Sequence, residues 1–129
     1  MTRYLLDTNI ALLGLSRPER ISDAIRAAVD AGEVYLSVIS YWEVLLKSMK
    51  GELDVGEPRV WWRDALNKFG ATAAPLRPDH ISAIYELQRI HHDPFDRALI
   101  AQAIVEQLIL VTLDAEIPKY AAERFRVLT

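Results

Sequence analysis

The sequence predicts an α/β protein with three layers, α/β/α, built around a central parallel sheet of four to five short strands. Two patterns support this prediction. Short apolar runs suited to buried strands alternate with helical segments along the whole chain. The chain also shows no linker, internal repeat or low-complexity segment, so residues 1–129 are expected to form a single domain.

Composition narrows the class of protein. Apolar residues make up 51% of the chain, which is typical of a globular domain. The absence of cysteine excludes a disulfide framework and a thiolate zinc site, and it favours a cytoplasmic location. No apolar stretch approaches the ~20 residues of a membrane span, so no membrane partner is expected. The net charge of −3 means that any nucleic acid must be bound by a local patch.

The first third of the chain predicts a strand, two helices and a second strand. The apolar run at 4–6 stops at Asp7-Thr8-Asn9, residues that cap helices, and a short helix is expected over 10–15. A second helical pattern begins at Pro18 and ends at Gly32. Residues 34–37 form the next candidate strand.

The middle of the chain continues the alternation. Ser37 and Ser40 are candidate caps for a helix over 41–49. The stretch 51–57, with two glycines and a proline directly after it, is predicted to be a loop. Beyond it we expect a helix over 60–69, an edge strand near 72–75 and a helix over 78–90.

The last third of the chain predicts a capped helix, a buried strand and an acidic residue beyond it, and the rest of the predicted fold is arranged around them. Asp93 is placed to cap a helix, Pro94 suits its first position and Asp96 lies in its first turn. The apolar run 109–111 follows as a buried strand, with Thr112 and Asp114 just beyond it. A short helix over 117–122 and a final strand over 126–128 complete the prediction.

Four acidic side chains fall at one end of this predicted sheet. If strands one and four are neighbours, their carboxyl ends bring Asp7 and Asp114 together. The starts of two helices then bring Glu43 and Asp96 to the same place. Crowded carboxylates repel one another unless a cation is present. Oxygen ligands without cysteine indicate Mg²⁺ or Mn²⁺, which can activate water for phosphodiester hydrolysis.

Each acid also has a structural interpretation. Asp7 and Asp114 could each cap the helix that follows, and Asp96 could form a capping pair with Asp93. Glu43 is harder to explain in this way, because it interrupts a strongly apolar helix, although a salt bridge to a lysine four residues later would place it at the surface. The functional interpretation therefore depends on all four acids converging.

With those acids located, the sequence resembles the PIN-domain ribonucleases, and most closely the toxin half of VapBC toxin–antitoxin pairs. LLDTN at 5–9 is similar to the family's opening motif, and SVISYWEV at 37–44 carries the second acid. HHDPFDRALIAQA at 91–103 is the most specific match, and LVTLDAEI at 110–117 supplies the fourth acid. No family motif matches the segment 51–62.

The resemblance implies a PIN-like fold and an endoribonuclease that leaves a 5′-phosphate and a 3′-hydroxyl. It implies that Mg²⁺ or Mn²⁺ is bound, and that water is activated, by Asp7, Glu43, Asp96 and Asp114. Asp7 and Asp96 would be the direct ligands of a first ion. Supporting positions, which could orient the acids or hold metal-bound waters, would be Asn9, Asp93 and Thr112.

The resemblance further implies a homodimer and a small VapB-type antitoxin that masks the acids. The three tryptophans are candidates for that surface, although core packing is favoured for Trp42. Trp61 and Trp62 cannot both face inward on one helix, so one of them should be partly exposed or contacted by a neighbour. Arg97 and Lys47 are candidate contacts for an RNA phosphate, with an ordinary solvated or ion-paired role as the alternative.

Two other functions fit part of the pattern. A non-catalytic PIN-like module could use the same acids only to bind metal and dock a partner. A phosphoacceptor receiver domain also gathers acids at strand ends, but it generally needs a lysine near the end of its last strand. This chain closes on Val127, Leu128 and Thr129, which argues against a receiver domain.

Overall fold

Five parallel strands form one sheet at the centre of the molecule. The computed structural model describes residues 1–87, 93–120 and 125–129. The strand order is β3-β2-β1-β4-β5, and the strands are β1 Arg3–Leu6, β2 Glu33–Ser37, β3 Thr72–Ala74, β4 Ile109–Val111 and β5 Val127–Leu128. Strand β1 pairs in parallel with both β2 and β4. The expected adjacency of strands one and four is therefore confirmed.

Helices connect the strands and cover the sheet. They are α1 Thr8–Ser16, α2 Asp23–Ala31, α3 Val38–Met49, α4 Pro58–Phe69, α5 Pro78–Glu86 and α6 Pro94–Glu106. Two short 3₁₀ turns span Pro18–Arg20 and Ile117–Tyr120. Among the described residues, no helix has both the length and the apolar character needed to cross a membrane.

The alternating side chains of the strands belong to two separate hydrophobic cores, one on each face of the sheet. Leu6 and Leu36 pack on one face of the sheet with apolar residues of α1, α2 and α4. Leu5 and Leu110 pack on the other face with apolar residues of α6. Because successive strand residues point to opposite faces, the short central strands are buried on both sides. The predicted three-layer α/β/α architecture is confirmed.

Several predicted boundaries differ from those of the structure, and local capping explains two of them. The helix expected from Pro18 is a 3₁₀ turn, and α2 begins only after Ser22, whose hydroxyl accepts the N–H of Ile25. Helix α3 begins at Val38 rather than at Tyr41, because the Ser37 hydroxyl accepts the N–H two residues later.

Two predictions lie partly outside the described residues. Helix α5 ends at Glu86, and residues 88–92, which include the predicted helix end at Ile90 and the pair His91-His92, are not described. The short helix expected over 117–122 is described only as a 3₁₀ turn to Tyr120.

Gln102 ties helix α6 to the turn between β3 and α5. Its side chain is fully buried, and Nε2 donates to the Pro75 carbonyl at 2.9 Å. Within the described part of the chain, Oε1 of Gln102 has no hydrogen-bond partner. The residue therefore supplies one donor that is hydrogen-bonded and one buried acceptor whose hydrogen bond to water is lost on folding and not replaced by a bond to any described residue.

We predict that replacing Gln102 by Met is tolerated, whereas replacing it by Glu is not. Gln102→Met keeps the side-chain volume, loses the donor to Pro75 and also removes the Oε1 that has no partner among the described residues. Because these changes act in opposite directions, the free energy of unfolding should change by less than about 1.5 kcal/mol. Gln102→Glu places an uncompensated carboxylate beside carbonyl oxygens and should cost about 3–5 kcal/mol at neutral pH. Urea unfolding measures both changes.

The pH dependence provides the control for this prediction. Protonation would remove the buried charge of the Glu variant, so its stability should recover towards that of wild type as the pH is lowered. A Glu variant as stable as wild type at pH 7 would contradict the packing described here.

Candidate active site

Asp7 lies where β1 ends and α1 begins, and only 2% of it is exposed. Its backbone N–H still donates to the Val111 carbonyl of β4 at 2.9 Å, so the carboxylate is held at the carboxyl edge of the sheet. Oδ1 accepts the N–H of Thr8 at 2.7 Å, which caps α1. Oδ2 accepts the hydroxyl of Thr112 at 2.7 Å. Both carboxylate oxygens are therefore fixed by neutral donors.

Thr112 connects two of the predicted acids. It is fully buried directly after β4, and while its hydroxyl donates to Asp7, the same Oγ1 accepts the N–H of Asp114 at 3.0 Å. Oδ1 of Asp114 in turn accepts the N–H of Glu116 at 2.9 Å. Asp114 thus lies beside Asp7 and stabilises the bend that precedes the 3₁₀ turn at Ile117, which does not make it a helix cap.

Glu43 projects from α3 and is 5% exposed. Its Oε2 accepts a hydrogen bond from the ammonium group of Lys47, one turn further along the helix, at 2.8 Å. Its Oε1 is buried and, within the described residues, has no hydrogen-bond partner. The salt bridge considered from the sequence thus exists, but it does not bring the carboxylate to the surface.

Asp96 lies in the first turn of α6 and is 9% exposed. The helix is capped by Asp93, whose Oδ1 accepts the N–H groups of Phe95 and Asp96 at 2.8 and 3.2 Å. This capping fixes where α6 starts and so where the Asp96 side chain leaves the backbone. The helix dipole also favours negative charge at this position.

Electrostatic coupling shows that the acids share one region. Burial raises the pKa of Asp7, and the carboxylates of Glu43 and Asp114 raise it further, while hydrogen bonds from Thr112 and Thr8 act in the opposite direction. The pKa of Lys47 is raised by its hydrogen bond to Glu43 and by its attraction to Asp93 and Asp96. Asp7 therefore lies close enough to Glu43 and Asp114 for their charges to interact, and Lys47 lies close enough to Glu43 and Asp96.

Two other predicted site residues have different surroundings. The Asn9 side chain is exposed in the first turn of α1, so its supporting role stays a prediction. The Arg97 guanidinium donates to the carbonyls of Ile84 and Leu87 and to the hydroxyl of Tyr120, at 3.2, 3.4 and 3.3 Å. These bonds connect α6 to the end of α5, and they argue against the phosphate contact expected of Arg97.

Sequence reasoning missed one contact around the acids and was wrong about the burial of one tryptophan. The hydroxyls of Thr8 and Ser40 lie 2.8 Å apart and join the start of α1 to α3, whereas Ser40 was expected only as a cap. The expectation that Trp42 is a core residue is wrong, because 54% of it is exposed. Trp61 is buried and Trp62 is half-buried against Tyr41, as their adjacency predicted.

The family model of the PIN domain matches residues 4–123 of this chain. The chain belongs to the PIN domain family. Among curated proteins, this PIN domain chain is 26% identical over 125 residues to ribonuclease VapC22 of Mycobacterium tuberculosis, and the match covers 96% of each chain.

Solved structures show the same fold at lower identity. One chain of VapBC2 from Rickettsia felis, bound to a promoter DNA fragment, has a TM-score of 0.74 and 15% identity, with 98% of each chain covered. A chain of DNA-bound VapBC from Salmonella typhimurium has a TM-score of 0.71 and 14% identity, covering 99% of this chain and 98% of that one. These similarities show a shared PIN fold.

The donor set in this PIN domain is suited to a hard divalent cation. All four acids offer oxygen ligands, which Mg²⁺ and Mn²⁺ prefer. The specific sign is the buried Oε1 of Glu43, which has no hydrogen-bond partner among the described residues, because a buried carboxylate oxygen without a donor is costly. The raised pKa of Asp7 has the same origin in burial and like charge.

A second acidic group lies elsewhere. Ligand atoms of Asp79, His80 and Glu106 all fall within 4.8 Å of one another. However, Nδ1 of His80 accepts the N–H of Arg77 at 3.0 Å, and Nε2 lies 2.9 Å from the Glu106 carboxylate, so both ring nitrogens are already used. Glu106 is also about 15 Å along α6 from Asp96, at 1.5 Å per residue. This group is therefore explained as a helix cap.

We predict that Asp7→Asn stabilises the metal-free protein at neutral pH. An acid whose pKa is raised in the folded state loses stability above its unfolded pKa and regains it as the pH falls through the folded pKa. The variant should therefore melt at a higher temperature than wild type at pH 7, and this advantage should shrink as the pH is lowered. Thermal unfolding measured by circular dichroism tests this.

The same experiment with metal separates the two roles of Asp7. Added Mg²⁺ or Mn²⁺ should raise the melting temperature of wild type but not that of Asp7→Asn. The exposed Asp64 on α4 offers the matched control, Asp64→Asn, which should behave as wild type in both conditions. Equal stabilisation of all three proteins by metal would count against this site.

We also predict that Thr112→Val weakens the site while leaving the fold intact. The substitution preserves the side-chain volume but removes the hydroxyl that holds Asp7 and Asp114. Loss of such a supporting group should lower metal affinity roughly 10–100-fold. Calorimetric Mn²⁺ titration measures the change, and Thr112→Ser, which keeps the hydroxyl, should restore most of the affinity.

Proposed function

We propose that this chain is a metal-dependent endoribonuclease that hydrolyses RNA phosphodiester bonds and acts as the toxin of a toxin–antitoxin pair. The observation that carries the proposal is the buried carboxylate of Glu43, which raises the pKa of Asp7 and whose Oε1 has no hydrogen-bond partner among the described residues. Membership of the PIN domain family and similarity to a protein named as a ribonuclease support it.

The proposed roles of the residues follow from their contacts. Mg²⁺ or Mn²⁺, when bound, would lower the pKa of a water molecule and offset the charge of the phosphate. Asp7 and Asp96 would hold the ion, since one is fixed by two hydrogen bonds and the other by the start of a capped helix. Glu43 and Asp114 would complete the negative environment. Thr112 and Asp93 keep these groups in place.

Lys47 occupies a different role in this proposal. Its ammonium group is hydrogen-bonded to Glu43, and its side chain is 44% exposed. It can therefore reach solvent on one side while remaining beside the acids. A contact with an RNA phosphate, as expected from the sequence, remains part of the proposal.

We further propose that a small VapB-type antitoxin binds this chain and that the chain forms a homodimer. The supporting observation for the antitoxin is that similar structures are described as VapBC complexes from Rickettsia felis and Salmonella typhimurium. The homodimer rests only on the family resemblance. Co-purification with the product of a neighbouring short reading frame would test the first, and sedimentation of the isolated chain would test the second.

We predict Mg²⁺- or Mn²⁺-dependent cleavage of single-stranded RNA that is lost in Asp96→Asn. Removing a proposed direct ligand should reduce the rate by more than the roughly 100-fold expected from losing a supporting group. Cleavage of an end-labelled RNA, followed on a denaturing gel with and without chelator, measures the effect. The product ends should carry a 5′-phosphate and a 3′-hydroxyl.

The second acidic group supplies the control. Asp79→Asn removes a carboxylate at the start of α5, so it should cleave RNA at the wild-type rate. Binding of RNA without turnover by wild type would favour a non-catalytic module. Equal cleavage by wild type and Asp96→Asn would refute the proposed mechanism.

A further inference from the structure

Two aromatic side chains meet beside the acid cluster. The rings of Trp42 on α3 and Phe95 on α6 form an edge-to-face pair, with centroids 5.3 Å apart and an interplanar angle of 80°. Trp42 immediately precedes Glu43, and Phe95 immediately precedes Asp96. Their Cα atoms therefore lie 3.8 Å from those of the acids. The contact between the two rings therefore links α3 and α6 next to Glu43 and Asp96 in the chain.

Trp42 differs from the other tryptophans in how much of it is covered. Trp61 is 5% exposed, and Trp62 stacks on Tyr41 with a centroid distance of 4.9 Å. Trp42 is 54% exposed although it contacts Phe95. An edge-to-face contact leaves at least one face of the indole uncovered by Phe95. A large apolar ring thus remains open to a ligand at the border of the site.

An uncharged source of binding energy would add to the few positive charges near the site. The chain has a net charge of −3, and without a bound cation the carboxylates repel phosphate. Of the two cations expected to meet phosphate, Lys47 is hydrogen-bonded to Glu43, and Arg97 donates to backbone carbonyls. Stacking on an aromatic ring does not depend on charge and is available to every base.

We propose that Trp42 is a stacking platform for an unpaired nucleobase next to the phosphate addressed by the acids. This inference rests on the proposed nuclease function and adds to it a residue that binds a base of the substrate. Bases of a duplex are already stacked on one another, so a platform of this kind selects single-stranded RNA. Phe95 acts as a positioning residue that fixes the indole orientation, and the Asp93 cap fixes the backbone of Phe95.

A protein partner is the rival occupant of this surface. Leu45 and Met49 lie three and seven residues after Trp42, and they are 36% and 76% exposed. They extend an apolar stripe along α3 away from the acids. The position of Trp42 at the site end of the stripe, in contact with the residue before Asp96, favours a nucleobase.

The test compares Trp42→Leu, Trp42→Tyr and the control Met49→Ala on a short single-stranded RNA. Trp42→Leu keeps an apolar side chain but removes the ring, so KM should rise about 5- to 150-fold, the range that loss of one stacked base implies, with a smaller change in kcat. Trp42→Tyr should recover most of the loss. Met49→Ala should leave KM and kcat unchanged.

Abasic substrates give the decisive comparison. Replacing the stacked base by an abasic sugar should raise the KM of wild type by a similar factor, yet have little further effect on Trp42→Leu. Affinities measured by fluorescence anisotropy in an Asp96→Asn background give the same comparison without turnover. If wild type does not cleave RNA, the proposed function fails, and these affinities still decide the role of Trp42.

Two results would overturn the platform. One is a KM and an affinity for Trp42→Leu within twofold of wild type, with every abasic substrate bound like its parent. The other is dissociation of an assembly by both Trp42→Leu and Met49→Ala, seen by sedimentation, with no effect on RNA affinity. That second result would assign the stripe to a protein contact.

Discussion

The constraint on which this structure depends is the burial of several carboxylates at one edge of a sheet. Asp7, Glu43 and Asp96 are 2%, 5% and 9% exposed, so water screens the repulsion between their charges only weakly. The protein compensates locally, with a backbone N–H and a hydroxyl at Asp7, an ammonium group at Glu43 and a helix N-terminus at Asp96. Each of these groups stands at the end of a strand or in a helix beside the sheet edge, so the fold and the site are specified by the same elements.

Much of this arrangement is encoded locally and could be predicted from the sequence. Strand ends and helix caps are short-range features, which is why Asp7 and Asp93 could be placed at the junctions where they lie. The adjacency of β1 and β4 follows from the rules of doubly wound sheets and needs no knowledge of side-chain packing.

The contacts and the exposure of long side chains could not be predicted in the same way. Arg97 turns towards the end of α5, because carbonyls left free at a helix terminus attract donors. The exposure of Trp42 depends on which helix packs nearby. Neither is visible in sequence spacing.

Two buried oxygens that have no hydrogen-bond partner in the described part of the chain show how differently a neutral and a charged group should be interpreted. Oε1 of Gln102 belongs to an amide whose nitrogen already holds the turn after β3, so its cost is that of one unmade hydrogen bond. Oε1 of Glu43 belongs to a carboxylate among other carboxylates, where the same lack of a donor concerns a charge. Packing explains the first, whereas the second leaves room for a further positive charge beside that of Lys47.

The pairing of Lys47 with Glu43 has a consequence for how the protein matures. In small metal-nucleated domains the ligands do not assemble until the ion arrives, so folding and loading are one event. Here an ammonium group from the same helix already compensates part of the anionic cluster, and neutral donors hold Asp7. The polypeptide can thus reach its native shape before any ion binds, so that a shortage of ions would lower the proposed activity without unfolding the protein.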